Sequence, residues 1–89
     1  MSSPGGWSSA GVDDARVKIA AQRAVAAQAL IDGTELKLVT IEGAQQQVVA
    51  GINYKLRLSV ARGDQRRLAN ATVWAKPNGS YELTEWSWE

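Results

Sequence analysis

Gln47-Val48-Val49-Ala50-Gly51 stands between two strand-like runs, Leu36-Lys37-Leu38-Val39-Thr40-Ile41 before it and Ile52-Asn53-Tyr54-Lys55-Leu56-Arg57-Leu58-Ser59-Val60 after it. That position reads as the tip of a β-hairpin. Hairpin tips are ordinarily polar, built from Asn, Asp, Gly or Ser. This one carries two valines and an alanine, closed by one glycine. Holding β-branched apolar side chains in water on a turn lowers solubility. Docking into a partner's groove is the usual reason for doing so.

Working outward, the run after the tip alternates cleanly, with Tyr54, Leu56, Leu58 and Val60 on one face. Arg62-Gly63-Asp64-Gln65 is a polar turn. Leu68 to Ala75 is the next strand, setting Ala69, Ala71, Val73 and Ala75 against Asn70, Thr72 and Trp74. Lys76-Pro77-Asn78-Gly79-Ser80 is a strong turn signal. Tyr81 to Trp88 is the last strand, and its alternation breaks between Leu83 and Trp86, as a bulge would cause. Upstream, residues 12–31 read as one helix. Asp13 and Asp14 suit the positive end of its dipole, and Asp32-Gly33 ends it. Val17, Ala20, Ala24, Ala27 and Ile31 form the apolar stripe, and the alanines allow a close approach to a sheet. Residues 1–11 read as an extended, mobile arm in which Pro4 fixes its own φ and Gly5-Gly6 permits a bend. The expected organisation is an arm over 1–11 and a single domain over 12–89. One helix followed by strands joined through short turns predicts an α+β fold. One long helix would pack on a twisted antiparallel sheet of four to five strands, with one side of the sheet buried.

Composition narrows the function. Eighty-nine residues make one small domain. A net charge of +1 provides no general basic field for nucleic acid or a membrane surface. No apolar run approaches the roughly 18 residues of a membrane span. There is no cysteine and no histidine. Disulfides, Cys- or His-based metal sites and the usual nucleophile–base pairs are therefore excluded. No convergent set of carboxylates replaces them, so neither an enzyme nor a cofactor is expected. Met1 to Ala10 lacks both the charged and the apolar regions of a signal peptide. A cytoplasmic chain and the trimmed form of an exported one both fit.

Some residues have plain readings. Lys55, Arg57, Arg62, Arg66, Arg67 and Lys76 are interleaved with apolar residues and read as a solvated sheet face. Trp74, Trp86 and Trp88 read as packing, with Trp86 and Trp88 sharing a strand face and Trp88 partly wet near the binding edge. Asn70-Ala71-Thr72 and Asn78-Gly79-Ser80 match the glycosylation pattern. Asn70 on a strand is a poor acceptor, and Asn78-Gly79 is explained by turn chemistry.

Gln47 to Gly51 has the form Q-x-V-x-G, the central motif of the cystatins, which block papain-like cysteine proteases. Pro4-Gly5-Gly6 followed by Ser8 resembles the amino terminus of the stefins. Ala21-Gln22-Arg23-Ala24-Val25 stands where plant cystatins carry their helix signature of Ala, Arg, Phe, Ala, Val. Gly51 to Tyr54 continues in the family's usual form. Val73-Trp74-Ala75-Lys76-Pro77 resembles the strand leading to the second binding loop. The resemblance covers nearly the whole chain. It implies a reversible inhibitor that wedges an arm and two hairpins into the protease cleft, at Pro4, Gly5, Gly6, Gln47, Val48, Val49, Ala50, Gly51, Pro77 and Asn78. One departure is evident: many cystatins place Trp after the proline of the second hairpin, and here Asn78 follows Pro77 in a turn that reads as one residue shorter. Stefins also lack that Trp. A Trp in a partner's groove contributes roughly 2 kcal/mol or more, so its absence predicts a weaker second contact. A non-inhibitory binding module on the same fold is the alternative. The expected state is a monomer. A strained Val48-Val49-Ala50 turn would open into a domain-swapped dimer.

Overall fold

The computed structural model describes residues 6–89. Its elements are β1 (Trp7–Ser9), α1 (Ala15–Asp32), β2 (Lys37–Val49), β3 (Gly51–Arg62), β4 (Gln65–Ala75) and β5 (Tyr81–Trp88). The five strands form one sheet in sequence order, and every neighbouring pair is antiparallel. The predicted α+β architecture of one helix on an antiparallel sheet is the one observed.

The helix begins at Ala15 rather than at residue 12, because the Asp14 carboxylate caps it by accepting the Arg16 backbone N–H at 2.8 Å. Gly11 to Asp14 form a turn ahead of it, closed by the Asp14 N–H donating to the Gly11 carbonyl. Gly33 closes the other end. Eighteen residues give α1 a length of about 27 Å. Its buried face is Val17, Ala20, Ala21, Ala24, Val25 and Gln28. Ile31, expected on that stripe, is 71% exposed, because the stripe steps from Ala24 to Gln28 and leaves Ile31 outside. The Gln28 amide is satisfied by donating to Asp32 at 2.9 Å.

Ala20, Ala21 and Ala24 are fully buried, so the helix backbone lies close over the sheet. Beneath it are Tyr54, Leu56, Leu58 and Val60 of β3, and Ala71 and Val73 of β4. Leu38, Ile41 and Ala44 close one flank of this core, and Leu83, Trp86 and Trp88 close the other. Trp86 and Trp88 do share a face and meet edge to face at 5.2 Å. Trp88 is half-buried as expected, but it pairs with Ala69, in mid-sheet, and is not beside the binding edge.

Three irregularities curve the sheet around the helix. Val39 and Glu42 are extra residues in β2 against β3, and Thr84 is an extra residue in β5 against β4. The last is the bulge predicted from the break in alternation. The Thr84 hydroxyl donates to the Thr72 carbonyl at 3.1 Å. The strands reach beyond the sequence reading: β3 runs Gly51–Arg62, and β4 begins at Gln65 rather than at Leu68. β2 continues through Glu42–Val49, a polar stretch without alternation, because β3 pairs with it on one side and β1 on the other. Within the expected arm, Trp7–Ser9 is a strand paired with Gln45–Gln47. Three residues ending in two serines carry no apolar alternation by which a strand could be recognised. No helix among the described residues is long and apolar enough to cross a membrane.

Candidate binding edge

The register brings three segments to one end of the sheet. Ile52 pairs with Ala75 and Asn53 with Trp74, so the β2–β3 tip and the β4–β5 loop point the same way. Trp7 pairs with Gln47, and β1 runs antiparallel to β2. The start of β1 therefore lies toward the same end. Gly6 lies there, while Pro4 and Gly5 fall outside the described residues.

The first hairpin turns through a single residue. Val49 and Gly51 are direct partners across the β2–β3 ladder, and Ala50 alone joins them. Val48 is 65% exposed and Val49 41%. The predicted apolar tip is thus in water. Its only left-handed residue is Gly51, with φ 86°. No non-glycine residue described has a positive φ, so the backbone strain expected in Val48-Val49-Ala50 is absent in that form. Gln47 sits two residues behind the strand end, half-buried, where its Oε1 accepts from the Asn53 amide at 3.1 Å. That bond spans the β2–β3 ribbon and stiffens it.

Gly51 is required by what lies beside it. A Cβ there would run into the Ala75 carbonyl oxygen, with the Ala75 carbonyl carbon and Pro77 Cδ each at 3.2 Å. The close approach that this glycine permits is to the second hairpin of its own chain.

The second hairpin is held by its own polar groups. The Lys76 N–H donates to the Ser80 carbonyl at 2.8 Å, and the Gly79 N–H to the Lys76 carbonyl at 3.0 Å. Asn78 Oδ1 accepts from both the Ser80 N–H at 3.0 Å and the Ser80 hydroxyl at 2.7 Å. The Asn78 side chain is thereby folded into its turn, and Pro77 is left as an exposed apolar group.

Trp74, expected in the packing, stands on the outward face of β4. Its indole N–H donates to the Ala50 carbonyl at 2.7 Å, reaching from the second hairpin to the tip of the first. The signal available in sequence was its parity: Val73 and Ala75 point to the helix, so Trp74 points away. Lys76 Nζ lies 5.3 Å from the Trp74 ring centre and 3.2 Å from Glu82. Trp7, on the same outward row beside Gln47, has Lys55 Nζ 4.6 Å over its ring.

Electrostatics at this edge are mild. Beneath it, burial pushes the Tyr54 phenol above its ordinary value, Tyr81 adds to the rise, and Arg16 opposes it. Tyr54 is therefore neutral at physiological pH. Away from the edge, two bases have partners within the chain. Arg57 forms a two-point pair with Glu89 at 2.9 and 3.0 Å, and Arg67 lies 5.1 Å from the Trp88 ring. Among the described residues no cluster of acidic side chains could hold a metal ion.

The sequence profile of the Cystatin domain matches residues 5–86. No curated protein sequence matches the chain. Among solved structures, the salivary cystatin of the soft tick Ornithodoros moubata superposes with a TM-score of 0.78 at 23% identity, covering 97% of this chain and 98% of that one. Mialostatin, a gut cystatin of the hard tick Ixodes ricinus, superposes at 0.81 with 15% identity, covering 94% and 97%. The structure of Al-CPI superposes at 0.75 with 23% identity, covering 96% and 100%. At these identities the likeness speaks for the fold alone, and it is the profile match over most of the chain that shows the chain belongs to the cystatin family of cysteine protease inhibitors.

Proposed function

We propose that the protein is a reversible, tight-binding inhibitor of papain-like cysteine proteases that occludes the active-site cleft. The observation that carries this reading is the exposed Val48-Val49-Ala50 tip, aligned with the Pro77 loop and the start of β1 at one end of the sheet. In the complex Val48 and Val49 enter the cleft. Their β-branching limits side-chain freedom, so little rotamer entropy is lost on docking. Val49 and Gly51 are already paired, and the tip stays a turn instead of opening into the extended peptide that a protease cleaves. Gln47 supports the ribbon behind the tip through Asn53. Pro77 and the loop backbone at Asn78 make the second contact. Pro4, Gly5 and Gly6 run along the cleft from the edge where β1 begins, with Pro4 in an apolar subsite. No residue of the inhibitor does chemistry.

The free protein is a monomer. Opening the one-residue turn at Ala50 would merge β2 with β3 and permit a swapped dimer, in which the first wedge is lost. A non-inhibitory binding module is the second reading. The observation favouring it is the second hairpin, where Asn78 follows Pro77 and turns its side chain inward to Ser80. Titration of active-site-counted papain with the purified protein separates the two. A stoichiometric fall in peptidase activity supports the inhibitor. Full activity at large molar excess of folded monomer overturns it.

A further inference from the structure

Ala50 lies outside both strands, so the β2–β3 ladder does not engage its carbonyl. The group that does is the Trp74 indole, two residues before the second hairpin loop in sequence. From this geometry we infer that Trp74 is a positioning residue, which ties the tip of the first hairpin to the base of the second so that both present one fixed edge. The inference rests on the inhibitory reading above for its functional consequence.

Two further contacts make the tie directional. Gly51 nests against Ala75 and Pro77, leaving no room for a side chain between the hairpins. Lys76 and Glu82 flank the indole, Lys76 over the ring and Glu82 as the cross-strand partner of Trp74. The ring is thus held from its own hairpin, and its N–H reaches across to the other. A single hydrogen bond at 2.7 Å decides whether Ala50 keeps its place or samples neighbouring positions. A tip that samples several positions must be ordered when it binds, and that ordering is subtracted from affinity. With Asn78 in place of a second-loop Trp, more of the affinity depends on a first tip that is already in place.

The test removes the donor and keeps the ring. Trp74→Phe does this approximately, and replacement of Trp74 by 3-benzothienylalanine does it with the shape preserved. Amide exchange in the free protein is the direct readout, followed at Ala50 and Gly51 and compared with the middle of β3, alongside urea unfolding. The expected result is about five- to tenfold faster exchange at the tip in both variants, the factor associated with one net hydrogen bond, with mid-sheet exchange and the urea midpoint little changed. Papain inhibition should weaken by a similar factor. Unchanged tip exchange in the benzothienyl variant overturns the inference. So does uniform acceleration over the whole sheet in step with a lower midpoint, since that is the mark of packing alone. If tip exchange rises but even the unsubstituted protein leaves papain active, the tie stands and the inhibitory reading fails.

Discussion

Gly51 and Gly79 offer a controlled comparison. Both have nearly the same left-handed backbone, φ 86° and 89°, and both belong to hairpins at the proposed edge. They differ in surroundings. A Cβ at Gly79 meets nothing within 4 Å, whereas at Gly51 it meets the Ala75 carbonyl and Pro77. Gly79→Ala should therefore cost only the left-handed penalty, about 1–2 kcal/mol. Gly51→Ala adds overpacking against backbone that cannot rotate away, about 1–3 kcal/mol more. A chain of this length has a total stability of roughly 5–13 kcal/mol, so Gly79→Ala should fold, and Gly51→Ala should fold at all but the upper end of its cost. Relief of the clash requires the two hairpins to part, which displaces the tip relative to Pro77. The papain inhibition constant should rise at least about tenfold for Gly51→Ala, equivalent to about 1.4 kcal/mol, and stay within about threefold for Gly79→Ala. Urea unfolding followed by tryptophan fluorescence gives the stabilities, and titration of papain gives the constants. Equal losses in both variants, within about 0.5 kcal/mol, would refute the argument that Gly51 is fixed by its neighbour.

Val49→Asp places a charge where the cleft would exclude water, and inhibition should weaken by about a hundredfold with an unchanged unfolding midpoint, because the side chain is already 41% exposed; undiminished inhibition contradicts the wedge. Deleting Met1 to Gly6 should slow association or speed release of papain without altering the sheet from Trp7 onward, as read by surface-immobilised kinetics. The Glu89 carboxyl is held below its ordinary value chiefly by the Arg57 hydrogen bonds, with Asn70 assisting. Its contribution to stability is complete above the ordinary carboxylate pKa and disappears as pH falls through the lower folded value; the acid side of the midpoint-versus-pH curve should flatten in Glu89→Gln. Heating the monomer near its unfolding midpoint and cooling it should yield a dimer by size exclusion that no longer inhibits papain, and a wholly monomeric product would count against opening at Ala50.

What the sequence disclosed depended on whether one local rule governed a segment. β3 could be read because Tyr54, Leu56, Leu58 and Val60 alternate with polar residues and are all buried. β5 and its bulge were legible for the same reason. β2 was only half legible: Leu36 to Ile41 looks like a strand, but Gly43 to Val49 is extended through its pairing with residues far along the chain. β1 was hidden because its backbone bonds to β2 decide its conformation, and backbone bonds leave no trace in side-chain type. Ile31 misled because alanines satisfy an apolar stripe at several phases, and the observed phase runs through Gln28 instead. The exposed tip at Val48 and Val49 stood out by violating turn composition. Trp74 did not, since a tryptophan on a strand is usually a core residue, and only the position of the neighbouring hairpin gives its N–H a partner.

The buried residues and the exposed tips are almost disjoint sets. Val17, Ala20, Ala24, Leu56, Leu58 and Val60 hold the fold and lie away from the edge, while Val48, Val49, Pro77 and Asn78 are exposed and contribute little to the core. Substitutions at Val48, Val49 and Pro77 are thus nearly free of folding consequence, whereas Asn78 holds its own turn through Ser80. A lineage carrying this fold can drift at those three positions, changing what the edge fits, without first acquiring compensating mutations. Gly51 and Trp74 are the exceptions, since they join one hairpin to the other. Diversification at the tips should therefore be fast, and at these two junction positions slow.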